Sequence, residues 1–226
     1  MLQSIKVWDM PTRVFHWLLA FSFAAAFITA ESERWLLWHL IFGYTVGGLI
    51  AFRLVWGIVG TRWSRFSSFL PSPSKAFDYA LSLVGKGSNQ HYVGHNPLGA
   101  LAVYALLLLG IIVTASGYGY QQLDQEWLEE VHEVSANGML ALVVLHVVGV
   151  IISSVKHRQN LVRGMVTGNK QGEPQQAIKR TLTIPALLLL LLVGGFWFAA
   201  WQQPSLLGIN GAVEQTNEQQ YDVDED

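Results

Sequence analysis

The sequence predicts an all-α fold, an integral membrane helical bundle with five transmembrane helices, and three observations predict it. Charged residues make up only 13% of the 226-residue chain and hydrophobic residues 51%, whereas a soluble domain carries about 25% charged residues. Five apolar runs each approach the roughly 20 residues that cross a bilayer core as a helix. Thirteen of the fourteen lysines and arginines fall in segments that five crossings place on one side, as the positive-inside rule requires.

The first run, Val14–Ala30, starts late and lacks a small-residue cleavage site, so it reads as a retained span rather than a leader. The second run is Leu36–Val59, the third Leu98–Tyr118, the fourth Val134–Val155 and the fifth Thr181–Trp201. Among the cations only Arg34 falls on the minority side, which puts the N-terminus in the cytoplasm and the C-terminus outside. The segment 121–130 carries Asp124, Glu126, Glu129 and Glu130 with no cation and reads as an outer loop. Between the second and third spans lies a long inner loop, 60–97, broken by Pro71 and Pro73. Within it 74–84 reads as a short amphipathic helix at the interface, with Phe77, Ala80, Leu81 and Val84 on one face. Residues 204–226 are polar and acidic and read as a disordered outer tail. Tryptophans near the span ends, such as Trp17, Trp35, Trp38, Trp56 and Trp127, read as interfacial anchors.

Composition also excludes chemistry. The chain has no cysteine, which removes disulfides, cysteine-held iron–sulfur clusters and covalently attached c-type haem. No catalytic triad, phosphate loop or nucleic-acid footprint appears, and topology accounts for the inner basic residues.

That leaves seven histidines. An ionisable group inside a span is costly and signals function. The first span runs outward, so His16 lies near its inner end. The second runs inward, so His39 lies near its outer end. His132 begins the fourth span on the outside, and His146 follows fourteen residues later. Fourteen residues are about 21 Å of helix and return within about 40° of the starting direction. His39 and His132 therefore form an outer pair, and His16 and His146 an inner pair. One membrane histidine reads as a packing residue; two depth-matched pairs read as the axial ligands of two six-coordinate b-type haems. Such ligation leaves no open iron position and favours electron transfer. A zinc site needs four converging ligands, which pairs about 20 Å apart cannot provide.

Gly43, Gly47 and Gly48 follow His39, and Gly138 follows His132. They either let a flat macrocycle approach or serve close helix packing. Arg53, fourteen residues after His39, and Arg13, one turn before His16, are candidates for a haem propionate or are ordinary inner-edge cations. His95 is either a proton-exchanging group at a quinone site or a loop histidine that bonds its own turn. His91 and His157 read as interfacial.

At these residues the sequence resembles the bacterial cytochrome b561 family, which includes the cytochrome b subunits of nickel–iron hydrogenases. The resemblance rests on Arg13-Val14-Phe15-His16-Trp17, on Trp38-His39-Leu40 with Gly43, and on His132-Glu133 with Ala136-Asn137 through Leu145-His146. The stretch Gly94-His95-Asn96-Pro97-Leu98-Gly99 adds to it, and the likeness covers about 5–168. It implies a four-helix haem-binding core with two non-covalent haem b groups. It also implies traffic between a membrane quinone pool and a redox partner, and it supports His16, His39, His132 and His146 as ligands. The expected organisation is a di-haem domain at 1–168, a linker and fifth transmembrane helix at 169–203, and the tail.

The leading expectation is an electron-transfer protein of the bacterial inner membrane, working between quinone and a periplasmic c-type cytochrome. Its acidic outer segments would either steer a basic partner or simply be solvated. Two rivals are the membrane anchor of a larger oxidoreductase such as a hydrogenase, and a stand-alone quinone reductase. A third is a proton-relay transporter, although the broken midplane helices and paired repeats of transporters are not evident. Lipid surrounds the chain in every case, nucleic acid in none, and a homodimer stays open.

Overall fold

The computed structural model describes residues 2–83, 85–86 and 92–209. In chain order the elements are β1 (Gln3–Lys6), α1 (Met10–Ile28), α2 (Leu36–Val59), α3 (Pro73–Leu83), α4 (Pro97–Leu123), α5 (Glu126–Lys156), α6 (Leu161–Thr167), β2 (Asn169–Gly172) and α7 (Thr183–Gln202). Helices α1, α2, α4, α5 and α7 are long and apolar enough to cross a membrane.

Several boundaries differ from the expected ones, each for a local reason. Helix α1 starts before Val14 because Asp9 caps it: its carboxylate accepts from Thr12 N, and Pro11 occupies the first turn. Its 19 residues span about 29 Å, close to the roughly 30 Å of a bilayer core. Helix α4 is capped in the same way by Asn96, which accepts from Gly99 N at 2.7 Å. The expected outer loop 121–130 shrinks to Asp124 and Gln125. Asp124 closes α4 in the left-handed conformation, which Asp tolerates. Glu126 and Glu129 lie in the first turn of α5, where the helix dipole favours negative charge.

Helices α1 and α2 form one hairpin, α4 and α5 another, and α2 packs on α4 between them. Phe23, Val46, Ile50, Leu107, Val113 and Met139 meet at the centre of this four-helix group. The fifth helix is not peripheral. Helix α7 lies against α1 and α2, with Leu189 between Phe15 and Leu49 and Trp197 Nε1 donating to Thr45 Oγ1 at 2.8 Å. The first residues of the expected tail are structured too. Pro204–Leu207 form a 3-10 turn, and Leu207 is buried with Ile41 and Ala200. Residues 210–226 lie outside the described residues.

The two strands pair antiparallel, Gln3 opposite Gly172 and Lys6 opposite Asn169. Ile5, Val7, Trp8 and Val93 pack beside them. This clasp joins the N-terminus to the segment after 168, so the expected boundary there separates two paired strands. Helix α3 occupies the predicted place and lies against α4 and α5. It buries Ala76, Tyr79 and Ser82 and leaves Phe77 exposed, which orients the predicted apolar face outward. Val84 lies outside the described residues.

Candidate functional site

His39 on α2 and His132 on α5 come together, their ring centroids 6.0 Å apart and their planes at 81°. Two imidazoles bound on opposite sides of one metal, at about 2 Å per bond, have centroids about 6 Å apart. Each ring is held from behind. His39 Nδ1 donates to Ala26 O at 2.9 Å, and His132 Nδ1 donates to Val113 O at 2.8 Å. With Nδ1 committed to a carbonyl, Nε2 is left as the free basic nitrogen, the arrangement that orients a metal-ligating histidine.

The two carbonyls are available for different reasons. Ala26 is in the last turn of α1, and Ala30 N bonds Phe27 O instead, so Ala26 O lacks the backbone donor of a helix interior and accepts from Thr29 Oγ1, at 3.1 Å, as well as from His39. Val113 is inside α4, and access to its carbonyl depends on Gly117 one turn later. A Cβ at Gly117 would stand 2.8 Å from both Cε1 and Nδ1 of His132. Nothing in the sequence marked Gly117, a glycine fifteen residues before the histidine it admits. Gly43 and Gly138 face space with nothing within 4 Å of an added Cβ. They do not serve close helix packing, and a flat group between the helices can use the room. Gly47 alone of the G-x-x-x-G pair touches a neighbour, Thr114 at 3.5 Å.

His16 and His146 line a second space, a cavity of about 730 Å³ between the hairpins. It is walled by Phe23 and Ala24 of α1, Ile50 and Arg53 of α2, and Met139 and Val143 of α5. The site is mostly apolar with a few polar groups, as a cofactor pocket is. His16 Nδ1 is buried without a partner. Arg53 is 3% exposed, lies over the Phe66 ring at 4.6 Å, and keeps a buried Nη1 with no partner. A buried guanidinium is stable only when an anion meets it, so the donor set fits a haem carrying carboxylate groups. Among the described residues no group of three or more His, Asp or Glu gathers to hold a bare metal ion.

Two residues left with alternatives by the sequence can be placed. Arg13 is not among the residues lining the cavity; its guanidinium donates to Val166 O and meets Met10 Sδ. It therefore ties α6 to α1. His95 does line the cavity, but it is wedged between Phe69, at 4.0 Å, and Trp8, at 4.8 Å. Burial first, then the neighbouring Arg53 and Lys170, push its pKa down to about 3. It stays neutral and does not exchange protons near neutral pH. His157 caps α5 and meets Tyr79 Oη at 3.1 Å. His91 lies outside the described residues.

Two further residues were not singled out from sequence. Asp9 is fully buried and accepts from Ser64 Oγ at 2.6 Å, Thr61 Oγ1 at 2.7 Å and Trp56 Nε1 at 3.3 Å. Burial works to raise its pKa, but these hydroxyls and Thr12 N prevail and hold it below 3.8. It locks the start of α1 to the end of α2, and so fixes the relative placement of His16 and Arg53. The other is Lys170, counted from sequence only as an inner cation. It is 8% exposed and reaches from β2 to the cavity wall.

The sequence profile of prokaryotic cytochrome b561 matches residues 7–168. Curated relatives include a probable Ni/Fe-hydrogenase B-type cytochrome subunit of Bradyrhizobium diazoefficiens, 23% identical over 74% of this chain and 86% of the relative. Proteins of the same description occur in Rhodobacter capsulatus, 23% identical over 74% and 81%, and in Azotobacter vinelandii, 23% identical over 73% and 88%. No solved structure matches the chain.

Proposed function

The chain belongs to the prokaryotic cytochrome b561 family, a family of membrane electron-transfer proteins, and on that premise we propose that it carries electrons across the bilayer through two haem b groups. His39 and His132 would hold the outer one, His16 and His146 the inner one. The observation that carries this reading is the outer pair, with rings 6.0 Å apart and both Nδ1 atoms given to carbonyls. A bound haem would supply a one-electron couple, and ligation by two imidazoles would favour electron transfer over oxygen chemistry.

The protein's own part is to position and to insulate. The carbonyls of Ala26 and Val113 fix the orientation of the outer imidazoles that would hold the group. Phe23, Ile50, Met139 and Val143 keep water from the inner site. Arg53 offers positive charge to the carboxylate edge of the inner group.

Electrons would pass between a membrane quinone and a partner oxidoreductase. The likeness to probable Ni/Fe-hydrogenase B-type cytochrome subunits favours a hydrogenase-type partner over a free c-type cytochrome. The basic segments at the β1–β2 end favour a cytoplasmic N-terminus and an outer C-terminus.

A reduced-minus-oxidised spectrum of the detergent-purified protein tests this, with haem counted per chain as the pyridine haemochrome. Two b-type haems are expected, and His39→Ala and His146→Ala should each lose a different one. A folded protein without haem would end the reading, and a single haem would mean that one pair is misassigned.

A further inference from the structure

The inner cavity has an imbalance of charge. Arg53 and Lys170 are both buried and both line it, and no Asp or Glu stands among its lining residues. His95, between them, is neutral. The nearest buried carboxylate, Asp9, is already engaged by Ser64, Thr61 and Trp56. Lys170 Nζ donates to Gly94 O at 3.0 Å and Tyr92 O at 3.1 Å, and an ammonium carries three N–H bonds. Arg53 has its unpartnered Nη1. The field of Asp9 reaches Arg53, but no carboxylate lines the cavity beside the two cations, an arrangement that is costly when buried, and burial draws the Lys170 pKa down to about 8. A ligand with two negative groups at this end of the cavity would relieve both.

Building on the two-haem reading, we infer that Arg53 of α2 and Lys170 of β2 form a two-cation cradle for the carboxylate edge of the inner haem, turning that edge toward the β1–β2 clasp. Lys170 lies beyond the family match at 7–168 and on the strand that pairs with the N-terminus. The clasp thus becomes part of the cofactor site and closes over its polar edge. Any deformation of the β1–β2 pairing would reach the inner haem through Lys170.

The test uses the full chain in detergent. Wild type, Lys170→Met and Lys170→Arg are compared by haem retention and by redox titration of the two b-type bands. Lys170→Met should lower the midpoint of the inner haem and weaken its retention at least tenfold. The outer haem should be untouched, and Lys170→Arg should stay near wild type. Chain stripped of haem and reloaded with protohaem dimethyl ester, which lacks the carboxylates, should retain the inner group in wild type no better than Lys170→Met retains protohaem. The ester in Lys170→Met should add less loss than it causes in wild type, because the Lys170 contact would already be gone and only the Arg53 contact would remain to lose.

An inner midpoint and retention unchanged in Lys170→Met would overturn the inference. So would full additivity of the ester and the substitution, which would make Lys170 only a cap for Gly94 and Tyr92. The ester in wild type keeps the test decisive if a variant does not fold. Fewer than two haems in wild type would instead remove the underlying reading, a distinct outcome.

Discussion

Replacing Gly117 with alanine should unseat the outer cofactor while leaving the fold as stable as before or more so. The added Cβ would lie 2.8 Å from Nδ1 and Cε1 of His132, where ordinary contact begins at 3.4 Å. The ring must retreat by about 0.6 Å, and its 2.8 Å bond to Val113 O would stretch to about 3.4 Å, beyond the normal range. That bond contributes about 1 kcal/mol. Loss of a partner that orients a metal-ligating histidine typically lowers metal affinity 10–100-fold, or about 1.4–2.7 kcal/mol. Against this, Gly→Ala inside a helix is favourable by about 1 kcal/mol. The two terms nearly cancel, so stability without haem should hold while retention of the outer haem falls. The assay is haem per chain during detergent dilution, beside thermal melting of haem-free protein. Gly119→Ala is the control, because its Cβ would meet only the tip of Leu128, at 3.1 Å. Two haems retained as in wild type in Gly117→Ala would refute the role given to Gly117.

Other consequences can be measured alongside. Gly43→Ala and Gly138→Ala meet nothing within 4 Å, so melting without haem should hold or rise by the helix preference of about 1 kcal/mol, and retention of the outer haem should fall if a macrocycle occupies that space; unchanged retention would empty it. The carboxyl of Asp9 is held below 3.8, so the native state binds fewer protons than the unfolded chain, and the stabilisation is complete above that value and fades as pH falls through it. Asp9→Ala should cost about 2–4 kcal/mol at neutral pH, from a lost helix cap and orphaned donors. Its melting point should then fall less than that of wild type on acidification, and equal slopes would contradict the lowered pKa. Trp197→Phe should cost about 1 kcal/mol through the bond to Thr45 with both haems retained, and no change in melting would mean that this bond does not hold α7.

Much of the site is legible in the sequence because the signals are periodic and local. Hydropathy gives the five spans, and the fourteen-residue spacing from His132 to His146 places both on one side of α5 at two depths. Boundaries shifted where capping chemistry, at Asp9 and Asn96, preceded the apolar run. Arg13 and His95 kept two readings each because depth in a span does not say where a side chain turns: Arg13 meets the carbonyl of Val166, and His95 the rings of Phe69 and Trp8.

The sequence by itself determined the five apolar spans and the family, and it put His39 and His132 at one depth, since each depends on spacing along one helix or on local motifs. Only the tertiary structure decided that Ala26 and Val113 hold the outer rings, that Gly117 admits His132, that α7 is part of the core and that Lys170 reaches the inner cavity. Those contacts join residues from different elements, and which of them meet is set by how the helices pack, a property that no single helical period encodes.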